Sequence, residues 1–206
     1  MGIEIGLWLC YTICMEKGYE EIIGDIKKFT NQFVYDTFSC KKLNMDLLCL
    51  YLYGAHPSLM VFHKDYGINH IAEINYRVAG DKCFISTFEC VPQFQGNGIG
   101  KFLFNMAMAH ADALGATKIY GYINPTDEIK GVQSKANSLE PEKEALKQIY
   151  TKLGCNLSNE DVFGNHASEV KFEQSWAHGE KLKGLSQQKL EFVKNAAQMQ
   201  LKGFKK

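Results

Sequence analysis

The stretch Cys90-Val91-Pro92-Gln93-Phe94-Gln95-Gly96-Asn97-Gly98-Ile99-Gly100-Lys101-Phe102-Leu103 constrains this chain more than any other. A β-like run enters it and an amphipathic helical stripe leaves it. Between them Gly96, Gly98 and Gly100 fall at alternate positions, with Pro92 just upstream. Such a turn presents bare backbone N–H groups at a helix N-terminus, where the positive end of the helix dipole also lies. That arrangement binds phosphate. Arg77 is the single Arg among 23 basic residues, so bidentate guanidinium clamps are nearly absent. Phosphate must therefore be held by backbone amides and Lys.

The flanks of the turn narrow its meaning. Three strand-like runs precede it, at Leu59 to His63, His70 to Val78 and Cys83 to Val91. The turns between them, Lys64-Asp65-Tyr66-Gly67 and Ala79-Gly80-Asp81, are short enough to require antiparallel neighbours. After the turn, Phe102, Leu103, Met106, Ala107, His110, Ala113 and Leu114 form a helical stripe, with Gly115 placed to cap it. Thr117 to Ile123 reads as a strand ended by Asn124-Pro125, and Thr126 to Leu139 as a long polar loop. A second helix starts near Pro141, buries Leu146, Ile149, Tyr150 and Leu153, and ends at Gly154. Weaker strand-like segments follow around Cys155 to Leu157 and Ala167 to Phe172.

Upstream, Ile3 to Cys14 reads as a strand. Ile22, Ile26, Phe29 and Phe33, spaced by four, three and four, predict one helix over Tyr19 to Phe38. Leu47 to Tyr53 is a continuous apolar run. In the tail, Leu190, Val193, Ala197 and Leu201 predict a final helix with those residues on one face.

Three phosphate-binding turns compete for the glycine segment. A G-x-x-x-x-G-K-[ST] loop fails because its first Gly falls on Gln95 and its hydroxyl position on Phe102. A G-x-G-x-x-G dinucleotide turn fails on spacing and on the antiparallel strands before it. The pattern Q/R-x-x-G-x-G/A is met by Gln95, Gly98 and Gly100.

On these residues the chain resembles the GCN5-related N-acetyltransferase (GNAT) superfamily. The segment is similar to that family's V-x-P-x-x-Q/R-G-x-G-I-G-x-x-L, with Cys90 in the Val position, Pro92, Gln95 and Leu103 matching. Tyr150-Thr151-Lys152-Leu153-Gly154-Cys155 is similar to a second segment, Y-x-K-x-G-F, although Cys155 replaces the aromatic and Lys143 stands where an Asn is usual. The resemblance covers roughly Leu47 to Phe172. It implies a mixed α/β (α+β) fold: a central, mostly antiparallel twisted sheet flanked by helices, here with a C-terminal helical extension. The expected division is residues 1–175 as the acyltransferase domain and 176–206 as the extension.

The resemblance also implies acetyl-CoA, or another acyl-CoA, as donor and an amine as acceptor. The amides from Gln95 to Lys101 suit the CoA pyrophosphate. The cofactor-binding candidates are Cys90, Val91, Gln95, Gly96, Asn97, Gly98, Ile99, Gly100, Lys101 and Asn124. Transfer to an amine needs a polarised thioester carbonyl, for which a backbone N–H on the strand ending at Val91 is available. It also needs removal of a proton from the amine and protection of the leaving thiolate. Tyr150 matches the family's candidate for the last role; the plainer reading is a core Tyr beside Ile149. Glu89 is a carboxylate in an apolar run and a candidate general base; the plainer reading is a solvated or Lys-paired side chain. Cys90 has no His partner in view and reads as a structural thiol.

Composition sets limits on other functions. The formal net charge is zero, from 23 basic and 23 acidic residues, which removes the usual electrostatic case for a nucleic-acid binder. The seven cysteines are irregularly spaced with no C-x-x-C, and the six histidines form no ligand motif, so no metal is expected. Buried free thiols and the acidic Glu4 in the apolar N-terminal stretch lead to an expectation of a cytoplasmic protein without a membrane span. The alternative function is a non-catalytic CoA-binding or interaction module, its extra C-terminal helix covering the acceptor cleft or forming a homodimer. A third reading makes Lys181 to Lys206 a partner-binding or membrane-surface helix.

Overall fold

The computed structural model describes residues 17–54, 57–123, 140–160 and 166–203. The expected strand at Ile3 to Cys14, the loop at Thr126 to Leu139 and the candidate Asn124 lie outside these residues. The elements run α1 (Lys17–Lys27), β1 (Phe33–Cys40), β2 (Met45–Leu52), β3 (Ser58–Phe62), β4 (His70–Ala79), β5 (Lys82–Cys90), α2 (Ile99–Ala113), β6 (Lys118–Tyr122), α3 (Glu140–Lys152), β7 (Asn156–Glu160), β8 (His166–Ser175) and α4 (Gln187–Gly203). The strands form one sheet in the order β1-β2-β3-β4-β5-β6-β8-β7. Every pairing is antiparallel except β5 with β6. The architecture read from the sequence is the one found: a mostly antiparallel sheet between helices, with a helix at the C-terminal end.

The continuous apolar run at Leu47 to Tyr53 lacks alternation because β2 is covered on both faces. Leu48 and Leu50 pack under α1 with Tyr19, Ile22, Ile23 and Phe62. Leu47, Cys49 and Tyr51 face the other way, into the main core with α2 and α4. Leu48 and Leu50 are 0% exposed, and each such burial stabilises the fold by about 1.5–3 kcal/mol.

The single helix expected over Tyr19 to Phe38 is not found. α1 stops at Lys27, Phe29 is 81% exposed, and Phe33 to Cys40 pair residue for residue with Leu52 to Met45. Phe33-Val34-Tyr35-Asp36-Thr37-Phe38 is rich in β-branched and aromatic residues, and a neighbouring strand satisfies its backbone. The four-three-four spacing that links Ile26 to Phe33 spans a turn, held where Phe29 and Thr30 N–H groups both donate to Ile26 O.

α2 does follow the glycine turn. It ends as expected in a Schellman motif: Gly115 has φ +96°, Gly115 N–H donates to Asp112 O, and Ala116 N–H to Ala111 O. Rather than a single apolar stripe, the helix is buried almost all round, because the sheet lies on one side and α4 on another. α4 also departs from the expected face. Phe192, Val193, Ala196, Ala197 and Gln200 are buried, while Leu201 is 53% exposed. Gln200 sets this rotation. Its amide pairs with both backbone groups of Gly54, at 3.0 and 2.9 Å, and Tyr51 Oη donates to its Oε1 at 3.2 Å. Asp112, 0% exposed, anchors the segment between β8 and α4 by accepting Gly179 N–H at 2.7 Å and Lys181 N–H at 2.8 Å.

Candidate functional site

Pro92–Phe94 form a short 3-10 turn that leads into the glycine segment. Gln95 ties the turn back to the strand: its Nε2 donates to Cys90 O at 2.8 Å. Gly96 and Gly98 have φ of +83° and +87°, a region L side chains rarely adopt, and a Cβ at either would meet open space. Gly98 is the N-cap of α2 and, having no side chain, makes no cap hydrogen bond. The amides of Ile99, Gly100 and Lys101 therefore stand at the helix N-terminus without intrahelical acceptors. Gly100 does something different. Its conformation is helical, and a Cβ would meet the Phe88 ring at 3.4 Å. The third glycine lets helix and strand close, whereas the first two leave backbone amides uncovered.

The rim of the turn is held from outside. Lys42 Nζ donates to Gly96 O at 2.8 Å, and Asn97 Nδ2 to Phe94 O at 3.2 Å. Lys101 is exposed at the mouth.

Below the turn the sheet opens. β5 and β6 pair only at Lys82–Lys118, Cys83–Ile119 and Phe84–Tyr120. Beyond that, β5 continues along β4 to Cys90 while β6 continues along β8. Among the described residues the upper half of β5 thus has a free edge. Val91 N–H is not on it, because it donates to Ile71 O at 2.9 Å. Strand alternation turns the Cys90 N–H and C=O to the opposite side, toward the gap, and the carbonyl is the one Gln95 reaches. Cys90 is also the best candidate on that edge for polarising a carbonyl. Its thiol is pushed up to about 11 by burial and stays neutral.

Tyr150 packs on the Phe88 face of β5, and Glu89, the next residue of the strand, points to the other face. Tyr150 on α3 is 6% exposed and stacks on Phe172, with centroids 3.7 Å apart and ring planes at 12°. Its ring lies 6.3 Å from Phe88, the residue before Glu89. A second Schellman motif ends α3, with Gly154 at φ +88° and Cys155 N–H on Tyr150 O. Cys155 therefore takes a capping position that an aromatic would otherwise occupy, and burial raises its thiol to about 12.

Glu89 does not stand alone. It is the cross-strand partner of Glu73, and His70 Nε2 lies 3.5 Å from Glu89 Oε1 and 3.5 Å from Glu73 Oε2. In a regular strand His70 and Glu73 would point to opposite faces. An irregularity opposite Val61 and Phe62, where Phe62 pairs with His70 but Val61 with Ala72, turns His70 onto the Glu73 face. No spacing in the sequence carries that signal, and neither His70 nor Glu73 was a candidate. Among the described residues Glu89 thus pairs with no Lys, and its side chain is 40% exposed.

Residues 42–128 match the model of the acetyltransferase (GNAT) family, somewhat less than half the chain. No curated protein matches the sequence. Among solved structures, the cAMP-binding acyltransferase from Mycobacterium smegmatis aligns with 97% of this chain and 65% of its own, at 11% identity and a TM-score of 0.59. The PaiA N-acetyltransferase from Thermoplasma acidophilum, in complex with coenzyme A, aligns with 58% of this chain and 60% of its own, at 16% identity and a TM-score of 0.43. An acetyltransferase from Bacillus subtilis, also with CoA, aligns with 59% of this chain and 78% of its own, at 15% identity and a TM-score of 0.40. The matched part is less than two thirds of the mycobacterial and Thermoplasma proteins.

Proposed function

From a chain that carries the GNAT acetyltransferase signature over residues 42–128, we propose an enzyme that moves an acetyl group from acetyl-CoA to a primary amine by direct attack. The observation that carries this reading is the turn at Gln95 to Lys101. Its uncapped amides end a helix beside the free edge of β5. Anion binding there needs no Arg, and the gap between β5 and β6 is the natural channel for the rest of a CoA molecule.

In this reading the Cys90 N–H polarises the thioester carbonyl. The amine nitrogen attacks the carbonyl carbon, the C–S bond breaks, and CoA leaves as thiolate. Tyr150 gives that sulfur its phenolic proton. Before attack the ammonium loses one proton to Glu89, directly or through water, because a free alkyl amine is protonated at neutral pH, and the second nitrogen proton, shed as the amide forms, restores the Tyr150 phenol. Val91, Gln95, Gly96, Asn97, Gly98, Ile99, Gly100 and Lys101 hold the donor, and Asn124, outside the described residues, stays among the candidates for holding it. The free thiols of the described residues suit a cytoplasmic setting, and no helix among these residues is long and apolar enough to cross a membrane.

Thiol release from acetyl-CoA, measured against a panel of small amines, polyamines and peptide N-termini, tests the proposal. Turnover on one of them is the expected result. Tyr150→Phe should lower kcat with CoA affinity unchanged, and Glu89→Gln should remove the acidic limb of the pH–rate profile. The Tyr150–Phe172 stack favours a second reading, a CoA-binding module without turnover, since a stacked, buried Tyr also suits a core role. Tight CoA binding with no turnover on any amine would select it.

A further inference from the structure

The polar face of β4 and β5 carries a cluster that acyl transfer does not use as a whole. Glu73 and Glu89 stand directly opposite each other on neighbouring strands. Like charges in that position repel unless a cation lies between them. His70 Nε2 sits 3.5 Å from one carboxylate oxygen of each. Both separations exceed the usual N–H···O range of about 2.7–3.2 Å, so an N–H shared between the two carboxylates would hold each of them only weakly. The same separations match the edge of a small coordination tetrahedron. With metal–ligand bonds of about 2.0–2.2 Å, ligand atoms lie about 3.4 Å apart. All three ligand atoms fall within 4.8 Å of one another, the one such group among the described residues.

A separate observation concerns the outer partners. Ser58, 2% exposed, donates its hydroxyl to Glu73 Oε1 at 2.7 Å. That bond fixes the Glu73 carboxylate with Oε2 toward His70, as outer hydrogen bonds do for carboxylates that ligate metals. The side chains of His70, Glu73 and Glu89 are 33%, 13% and 40% exposed, so one flank of the cluster is open to water.

We propose that His70, Glu73 and Glu89 form a site for a divalent cation of the zinc type, with water as the fourth ligand. One imidazole and two carboxylates are a donor set that zinc accepts. Metal binding does not depend on the acyl-transfer reading. Its consequence for activity does: a metal on Glu89 Oε1 takes the lone pair that would receive the amine proton, so the bound cation inhibits transfer.

The experiment is metal uptake by the full chain. Equilibrium dialysis with Zn²⁺ should load one equivalent in the wild type and lose it in His70→Ala, with native far-UV circular dichroism in both. Ser58→Ala should weaken binding about 10–100-fold. Co²⁺ in place of Zn²⁺ should give the visible bands of a tetrahedral N/O site without thiolate-to-metal charge transfer, which separates this cluster from the seven cysteines. Equal uptake by wild type and His70→Ala overturns the proposal, as do thiolate bands. No uptake, with His70 titrating by NMR as an imidazolium between the two carboxylates, reduces the cluster to an ion pair and also overturns it.

Discussion

Gly121→Ala tests the packing that holds the two sides of the candidate site together. Gly121 on β6 pairs with Phe172 on β8, and the Phe172 ring lies across the glycine. A Cβ at position 121 would stand 2.5 Å from Phe172 Cζ, 2.8 Å from its Cε1 and 3.0 Å from Ile85 O. The carbonyl belongs to β5 and cannot yield without disturbing the sheet. The ring is 1% exposed and stacked on Tyr150 at 3.7 Å, so it cannot swing aside without breaking that stack. Overpacking costs about 1–3 kcal/mol and loss of the aromatic pair about 0.5–1.5 kcal/mol, so about 2–4 kcal/mol is expected. For a chain of this size that lowers Tm by roughly 4–15 °C. Urea unfolding followed by far-UV circular dichroism reads the cost. Adding Phe172→Leu vacates the space the new methyl needs. The double variant should therefore be more stable than the sum of the two single losses predicts, by about 1 kcal/mol or more. An unchanged midpoint for Gly121→Ala, or strictly additive losses, would refute the claim that Phe172 is wedged between Gly121 and Tyr150.

Other predictions concern the turn, the buried histidine and the C-terminal helix. Gly98→Ala forces a side chain into φ +87° and places a methyl in the open space beside the turn, so stability should fall by about 1–2 kcal/mol and calorimetric CoA affinity by more than tenfold. Unchanged affinity would remove the turn from the phosphate site. His110 is fully buried, with Nδ1 2.9 Å from Tyr76 Oη, and burial lowers its pKa from 6.5 to about 3. Because the folded value lies below the unfolded one, the unfolded chain binds the extra proton between those limits. This group's contribution is then complete above pH 6.5 and declines as pH falls toward 3, by up to about 1.4 kcal/mol per pH unit. His110→Gln should flatten that part of a stability–pH curve. Asp112→Ala leaves the Gly179 and Lys181 amides without their carboxylate and should cost about 3 kcal/mol in urea unfolding. Gln200→Leu strands both backbone groups of Gly54 and should raise hydrogen exchange there and along α4 before the sheet responds.

Much of this was legible in the residues because it is local. The three glycines, the Schellman caps at Gly115 and Gly154, and the strands on either side of Ala79-Gly80-Asp81 each follow from the φ a position must adopt or from the period of a few neighbours. The same locality explains the failures. Ile22, Ile26, Phe29 and Phe33 fit a helix, and only pairing with β2 makes Phe33 to Phe38 a strand. Leu190 and Leu201 looked like core positions until Gln200 turned α4 to reach Gly54.

By itself the sequence determined the glycine turn, the mixed fold around it and the family it resembles, since these rest on backbone conformations that few residue types permit. Tertiary structure decided the rest. It ended the β5–β6 ladder after three pairs and left the Cys90 amide, not Val91's, facing the gap. It put Tyr150 on Phe172, and a strand irregularity carried His70 across to Glu73 and Glu89. Sequence period records which side of a strand is buried. It holds no record of which strand lies next to it, or of where one extra residue reverses the face.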